Sequence, residues 1–343
     1  ELAEEWREPR PAEGPAAERL RRGGHQLCIF VVATAATARH LADAAAVLQS
    51  WAARGPDCRA NGVEVLLVGR EVPGSEDAVL RLRGDVDLGF LYNGIRMLYL
   101  WQYLASNHVD DCAWFAKVDG DTFVNTWALR ERLERYFKPE GLHYLGSVKE
   151  SILGSGRRLD FAVNSAVLSR GLLRAAAPWL RVCMDDIVRR RLGRGAEDID
   201  LAFCLDKHGG VAVGTLGAKH ELLSRGMADT EGHGRLLAGS GQCTLFLHPV
   251  HGDEMLHLHE ELRALRSGAA PAAGTPSARC DWPEEKRRDP SQRERYMRKH
   301  YYGEANCWLG AFDWRACCDP KLWGPTGNDL CWDEENTHER CCG

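Results

Sequence analysis

The chain has 343 residues, of which 44% are hydrophobic and 27% charged, so it can bury a sizeable core and is not typical of a disordered protein. Its formal net charge of -5 is small for this length and gives no reason to expect nucleic acid as a partner. The sequence contains no apolar stretch long enough for a membrane span.

The first part of the chain alternates apolar strand patterns with helical ones. Residues 1–24 are rich in Glu, Arg, Pro and Ala without a repeating apolar face, and they are interpreted as a solvated stem. Buried strands are predicted at 26–34, 63–69 and 112–118, and helices at 38–54 and 88–108. This order is typical of an α/β fold with a parallel sheet, in which ligands bind at the carboxyl ends of the strands.

The pattern continues to residue 266. Helices are predicted at 126–137, 166–180 (ending near Pro178), 196–209 and 255–266, with strands at 143–148 and 241–249. A small, uncharged, Pro- and Gly-rich segment then predicts a linker at 267–279. The predicted organisation is therefore a stem, a globular domain at 25–266, the linker and a last module at 280–343.

The last module contains seven of the thirteen cysteines and two copies of the pattern Cys-Trp, eight residues, Cys-Cys, at 307–318 and 331–342. This density predicts a small module stapled by disulfides in an oxidising compartment. Zinc is the alternative, since adjacent cysteines can bind it. The five tryptophans of the module either fill its core or form a stacking face for sugar rings. Because thirteen is odd, at least one thiol is free or pairs with another chain.

The stretch FAKVDGDTFVN places Asp119 and Asp121 just after a buried strand. In extended backbone, residues i and i+2 point the same way, so both carboxylates can face one divalent cation. The alternative is an ordinary acidic turn, because Asp and Gly favour turns. A calcium loop of the EF-hand type is excluded by Phe123. Two adjacent acids at the end of a buried strand need a compensating cation, which favours the metal.

Several segments together resemble the inverting β1,3-glycosyltransferases that include core 1 β1,3-galactosyltransferase and Fringe (glycosyltransferase family 31). They are LCIFVVAT, LWQYLASNHVDDCAWFAKVDGDTFV, SAVLS, EDIDLAFCL and FLHPVHGDEML, spanning about 25–260. The resemblance implies a Rossmann-like nucleotide-diphospho-sugar transferase domain of the GT-A type. It also implies transfer of a hexose from a UDP-sugar to a glycan hydroxyl in β1,3 linkage. Galactose is the expected sugar, with UDP-GlcNAc or UDP-glucose as the alternative donor.

By the same resemblance, Asp119 and Asp121 match the metal-binding acids of the family, and His248 matches a histidine that completes the metal site. Between these two acids the family often has a third Asp, which contacts the donor, and this chain has Gly120 there instead. Imidazole suits Mn²⁺ better than Mg²⁺, so manganese is the expected cofactor and magnesium the alternative. The neighbouring histidines lack the HExxH spacing, which argues against a metalloprotease.

The EDID segment matches the acidic pair of the family, in which an Asp is the general base, and this points to Asp198 first and Glu197 second. Without the resemblance, both acids could simply favour a helix N-terminus. Arg96 and Lys117 fall where related enzymes place basic residues near the diphosphate. A disulfide between Cys183 and Cys204 is also implied.

Two departures from the family pattern affect the donor pocket. A glycine-rich segment of the family is AVNS here (162–165), and Ala202 stands where a glycine is common. The side chains of AVNS therefore occupy a place where backbone would line the pocket, and the donor does not follow from the resemblance alone.

The expected setting is the Golgi lumen or another part of the secretory pathway, as a single-pass type II membrane protein with its anchor outside residues 1–343. The expected partners are the UDP-sugar and a glycan or glycoprotein acceptor, without nucleic acid, and an oligomer is left open. A non-catalytic glycan-binding or chaperone-like relative is the alternative from another functional class.

Overall fold

The structure is a computed structural model that describes residues 14–33, 38–52, 62–69, 75, 77–82, 93–152, 158–190, 197–216 and 245–267. The predicted module at 280–343, and the linker beyond residue 267, lie outside the described residues. The interpretation of the CW-x8-CC repeats therefore stays a prediction.

Within the described residues the chain forms helices and strands in alternation. The helices are α1 (Pro15–Arg21), α2 (Ala38–Gln49), α3 (Asn93–Asn107), α4 (Thr126–Tyr136), α5 (Arg170–Arg190), α6 (Glu197–Gly209) and α7 (Gly252–Ser267). The strands are β1 (His25–Ala33), β2 (Val63–Gly69), β3 (Val79–Leu80), β4 (Cys112–Asp119), β5 (Phe123–Val124), β6 (Tyr144–Ile152), β7 (Arg158–Ser169), β8 (Val213–Thr215) and β9 (Phe246–Leu247).

Seven of these strands form the central sheet, in the order β3-β2-β1-β4-β7-β6-β8. The first four are parallel neighbours, as the alternating pattern predicts. Strand β7 differs, because it runs antiparallel to both β4 and β6, while β6 and β8 are parallel. The fold is thus mixed α/β with a mostly parallel sheet rather than a purely parallel one. The short strands β5 and β9 form a separate antiparallel pair.

The sheet has a helical layer on each face. In β1, Leu27, Ile29 and Val31 pack into one core together with residues of α2, α4 and α7. Phe30 and Val32 pack into the other core together with residues of α1, α3, α5 and α6. A strand that is covered on both faces has to be apolar at every position, which explains the continuous apolar run of the first strand. Of the helices in the described parts of the chain, none is both long and apolar enough to cross a membrane.

The helix predicted at 166–180 is wrong at both ends. Residues 166–169 belong to β7, where Val167 pairs with Ala116 of β4, and α5 begins at Arg170. A short apolar run cannot by itself distinguish a strand from a helix, and here pairing in the sheet decides. The helix also continues through Pro178 to Arg190. A proline inside a helix costs about 3 kcal/mol, and the buried packing of α5, including Leu172 and Leu180, offsets that cost.

The prediction of a solvated stem at residues 1–24 is also wrong for the part of it that the structure describes as a helix. Residues 15–21 form α1, whose Ala16, Ala17 and Leu20 are buried in the core. Arg19 of this helix forms a 2.9 Å ion pair with Glu64 of β2. The apolar face consists mainly of alanines over fewer than two turns, which is too small a periodic signal to recognise in the sequence.

Two disulfides brace the sheet and its helices. The implied Cys183–Cys204 bond is confirmed and joins α5 to α6. A second bond, Cys28–Cys112, joins the neighbouring strands β1 and β4 and was not predicted. Disulfides are typical of proteins that fold in an oxidising compartment.

We expect the double substitution of Cys183 and Cys204 by alanine to lower the free energy of unfolding by about 3 kcal/mol, because the bond closes a short loop in the unfolded chain. Its cysteines are 21 residues apart. Urea denaturation of the two proteins under non-reducing conditions measures the difference. Equal unfolding midpoints and slopes would show that this bond does not stabilise the domain.

Candidate active site

The carboxyl end of β4 carries the two predicted metal-binding acids. The strand is buried up to Val118, and a turn follows in which the backbone N–H of Thr122 donates to the carbonyl of Asp119 at 3.1 Å. Gly120 lies inside this turn. A Cβ atom there would stand 3.0 Å from the carbonyl oxygen of Val32 at the end of β1. A side chain at this position would therefore require the end of β1 to shift by a few tenths of an ångström.

Strand β9 brings His248 to the same place. Leu247 pairs with Phe123 in the antiparallel β5–β9 ladder, so the next residue, His248, lies beside Asp121. The backbone N–H of Val250 donates to the carbonyl of Asp121 at 2.8 Å and closes the loop. Nε2 of His248 is 3.0 Å from Oδ1 of Asp121 and 3.9 Å from Oδ2 of Asp119. The three residues predicted to bind the metal are therefore brought together.

The loop that follows His248 is anchored by a buried carboxylate of α2. Asp43 accepts a hydrogen bond of 3.1 Å from the backbone N–H of Gly252 at the start of α7. Its other carboxylate oxygen is 3.1 Å from Nδ1 of His251. Asp43 thus holds the chain three and four residues beyond His248, the candidate metal ligand.

Asp119, Asp121 and His248 could hold a divalent cation, since one ligand atom from each lies within 4.8 Å of the others. Two carboxylates and one imidazole are a donor set that suits Mn²⁺ and other first-row divalent ions better than Mg²⁺. Burial alone would lower the pKa of His248, but the hydrogen bond and charge of Asp121 outweigh burial and raise it. Burial would likewise raise the pKa of Asp121, and His248 outweighs it and lowers that pKa.

Lys117 lies at the centre of the acidic group. Its Nζ is 2.7 Å from Oδ1 of Asp119, 2.7 Å from Oε1 of Glu197 and 3.5 Å from Oδ1 of Asp198. The side chain points inward from β4, and the residue is only 1% exposed. Desolvation would lower its pKa, but the carboxylates overcome desolvation and hold the pKa well above the ordinary value. Lys117 therefore remains an ammonium ion and links Asp119, one of the candidate metal ligands, to the predicted base.

Glu197 and Asp198, the two candidates for the general base, lie in the first turn of α6, where the helix dipole favours negative charge. Asp198 accepts a 2.9 Å hydrogen bond from the backbone N–H of Asn164 in β7. Burial has the largest effect on the pKa of Asp198 and raises it, Lys117 lowers it and Glu197 raises it, and the net result is a pKa of about 6. A carboxylate whose pKa lies near neutral pH is suited to accept a proton from a substrate hydroxyl.

Two residues near the site were missed by the sequence reasoning. Asn164 contacts both Asp198 and His248, and the sequence signal was the departure AVNS itself. Asp200 packs against Gly94 of α3, where a Cβ would collide with its carboxylate. Burial and Glu197 raise the pKa of Asp200 to about 7, and its Oδ2 has no hydrogen-bond partner among the described residues. Asp200 is the last acid of EDID, so its position in the motif was visible but not its burial.

Arg96 is buried on α3. Its contact with a diphosphate stays a prediction. The assignment of Gly120, Arg96 and Lys117 to a donor-binding site is likewise still a prediction, although Lys117 lies within the cluster.

We expect Lys117→Met to lower the free energy of unfolding by about 3–5 kcal/mol at pH 8, because three carboxylates lose the ammonium that neutralises them. The raised pKa of Lys117 means that its stabilisation is fully present below the unfolded value of 10.5. The deficit should shrink towards pH 5, where Asp198, with a pKa of about 6, is already protonated.

Urea denaturation at both pH values measures this effect, with Lys149→Met as the control for an exposed lysine on β6. The control should change the stability by no more than about 0.5 kcal/mol. If Lys117→Met were as stable as the control at pH 8, the ammonium would not be holding the cluster together.

No protein-family model and no curated protein matches this chain. Among solved structures, the chain is similar to a glycosyltransferase involved in the glycosylation of the major capsid of PBCV-1. The two chains are 12% identical, the similarity covers 71% of this chain and 99% of that chain, and the TM-score is 0.37. A TM-score this low does not by itself establish a shared fold or a shared activity.

Proposed function

We propose that the chain is a metal-dependent inverting glycosyltransferase that moves a hexose, with galactose as the first candidate, from a UDP-sugar to a glycan hydroxyl in β1,3 linkage. One observation carries the proposal. Lys117 contacts both an acid of the candidate metal site and a carboxylate whose pKa is raised to about 6. The sequence resemblance supports the sugar donor and the linkage.

The charge balance of the cluster supports a cation-dependent reaction. Asp119, Glu197 and Asp198 share the single ammonium of Lys117, and Asp121 is paired with His248, so the carboxylates outnumber the lysine and would repel an anionic diphosphate from this end of the sheet. A divalent ion bound by Asp119, Asp121 and His248 would supply the positive charge that stabilises a departing diphosphate. The β5–β9 pairing brings His248 to these two acids.

In this proposal Asp198 is the general base. Its carboxylate removes the proton of the acceptor hydroxyl as that oxygen bonds to the anomeric carbon. The bond from the anomeric carbon to the phosphate oxygen breaks, and its electron pair leaves with UDP. A single displacement inverts the anomer, so a UDP-α-sugar gives a β-linked product. The backbone N–H of Asn164 holds Oδ2 of Asp198, which leaves the carboxylate fixed relative to the metal-binding acids.

The setting is part of the proposal. The two disulfides favour an oxidising compartment, and we assign the chain to the Golgi lumen, anchored as a type II membrane protein by a segment outside residues 1–343. The acceptor would be a glycan or glycoprotein. The side chain of Asn164 lies in the segment where the related family has glycines, so UDP-GlcNAc and UDP-glucose stay in the donor test.

With MnCl2 present, we expect the chain to turn over one of UDP-galactose, UDP-GlcNAc and UDP-glucose, and chelation by EDTA to abolish that turnover. Asp121→Asn should lower kcat/KM by roughly 100-fold, which corresponds to about 3 kcal/mol of lost stabilisation of the transition state. Release of UDP, with and without a glycan acceptor, is the measurement.

Asp110→Asn is the matched control, since Asp110 is an exposed acid just before β4, at the end opposite Asp119. It should retain the activity of the unmodified protein. Failure of all three donors, by a folded protein that still binds glycans, would instead favour the non-catalytic relative.

We expect kcat/KM to fall about tenfold per pH unit below pH 6, because the base has to be ionised and a raised carboxyl pKa moves that requirement upward. The pKa of Asp198 is about 6, so the carboxylate predominates when the pH is above that value and the protonated acid predominates when the pH is below it. The profile has to be measured at saturating Mn²⁺, so that protonation of His248 does not limit the rate.

Replacing each acid separately distinguishes the two candidate bases. Asp198→Asn should lower kcat/KM by about 10²- to 10⁴-fold and remove the acidic limb of the profile. Glu197→Gln should keep that limb. The reverse pattern would assign the base to Glu197.

A further inference from the structure

Asn164 has an unusual backbone conformation at a point where it contacts both halves of the candidate active site. Its φ is 57°, which makes it the single non-glycine residue with positive φ in the described parts of the chain. This region costs an ordinary residue about 1–2 kcal/mol, less for asparagine and nothing for glycine. The backbone geometry alone would thus be satisfied better by glycine, so the presence of a side chain needs a separate reason.

The amide of Asn164 supplies that reason. Its Nδ2 lies 3.1 Å from Nδ1 of His248, while Nε2 of the same ring faces Oδ1 of Asp121 at 3.0 Å. An amide nitrogen can only donate, so in this arrangement Nδ1 accepts and the ring proton is on Nε2, which donates to Asp121. The histidine is held from both sides in one tautomer, the tautomer that cannot bind a cation through Nε2.

Binding of a cation reverses the polarity of this hydrogen bond. A neutral imidazole that binds through Nε2 has its proton on Nδ1, and Nδ1 then needs an acceptor. The carbonyl oxygen and the nitrogen of an amide occupy nearly the same space, and half a turn about χ2 exchanges them. Asparagine can therefore satisfy both states of His248 without any movement of the backbone.

We propose that Asn164 is the positioning residue for the metal-binding histidine, and that its amide turns to present Oδ1 to Nδ1–H of His248 when a divalent cation binds Nε2. The inference rests on the proposed metal site, but not on the identity of the sugar or the acceptor. Because the backbone N–H of Asn164 also holds Asp198, the same residue ties the metal ligand to the proposed base.

Two substitutions separate the backbone from the amide. Asn164→Gly suits the positive φ and keeps the backbone N–H for Asp198, but it removes the contact with His248. Asn164→Asp keeps an acceptor for Nδ1–H, loses the ability to donate and adds a negative charge, so the position of the His248 proton is measured beside the affinity. Titration of the metal-free proteins with MnCl2 alone, followed by the electron paramagnetic resonance signal of free Mn²⁺, gives the dissociation constant of each without any need for activity.

Asn164→Gly should bind Mn²⁺ about 10- to 100-fold more weakly than the unmodified chain, as is usual when the partner of a metal-binding histidine is lost. Asn164→Asp should restore binding to within about threefold of the unmodified chain or make it tighter, since a carboxylate accepts more strongly than an amide. Thermal unfolding without metal should leave all three proteins folded, with similar melting temperatures.

The tautomer of His248 gives a second readout that a purely structural role would not move. In ¹⁵N NMR spectra at pH 8 without metal, the unmodified chain should carry its proton on Nε2, and Asn164→Asp should move it to Nδ1. Addition of diamagnetic Zn²⁺ to the unmodified chain should also move it to Nδ1.

The possible failures are distinguishable. If the unmodified chain does not bind Mn²⁺, the metal site fails, and both the proposed function and this inference fail with it. If the unmodified chain binds Mn²⁺ and Asn164→Gly binds it equally well, only the role of Asn164 is overturned. The role is also overturned if Asn164→Asp binds as weakly as Asn164→Gly and keeps the proton on Nε2.

Discussion

A buried lysine ammonium at the end of β4 joins parts of the chain that are 80 residues apart. Lys117 contacts Asp119 in its own strand and Glu197 at the start of α6, at 2.7 Å in each case. Desolvation of a charge is costly, and removal of either side would leave the other buried without compensation. The pairing therefore fixes the N-terminus of α6 against the sheet, and as a consequence Asp198 lies beside the candidate metal-binding acids.

The same end of the sheet is closed by a second long-range contact. The β5–β9 pairing sets His248 against Asp121, and Asp43 of α2 holds the start of α7 just beyond it. Both contacts rely on main-chain groups, which hold a position more firmly than side chains alone. The candidate metal ligands are thus carried by a strand end and a loop that is fixed on both sides. Such a site is largely formed before any ligand binds, which lowers the cost of binding.

The antiparallel strand β7 connects these two arrangements. It pairs with β4, and its Asn164 reaches Asp198 through the backbone and His248 through the side chain. A purely parallel sheet would have supplied a helix crossover at this position. The mixed topology places an extended chain there instead, in which Asn164 has a positive φ of 57°.

Local patterns in the sequence predict the buried strands β1, β2 and β4, the acidic pair at the end of β4 and the acidic start of α6. Such features are predictable because apolar runs and helix N-termini are encoded within a few residues. The strand at residues 166–169, the packing of α1 on the core and the burial of Lys117 among carboxylates became evident in the folded chain alone. Each of these outcomes depends on partners distant in sequence. The energy of a buried charge or of an ambiguous apolar run is set by what surrounds it, and no local pattern records those surroundings.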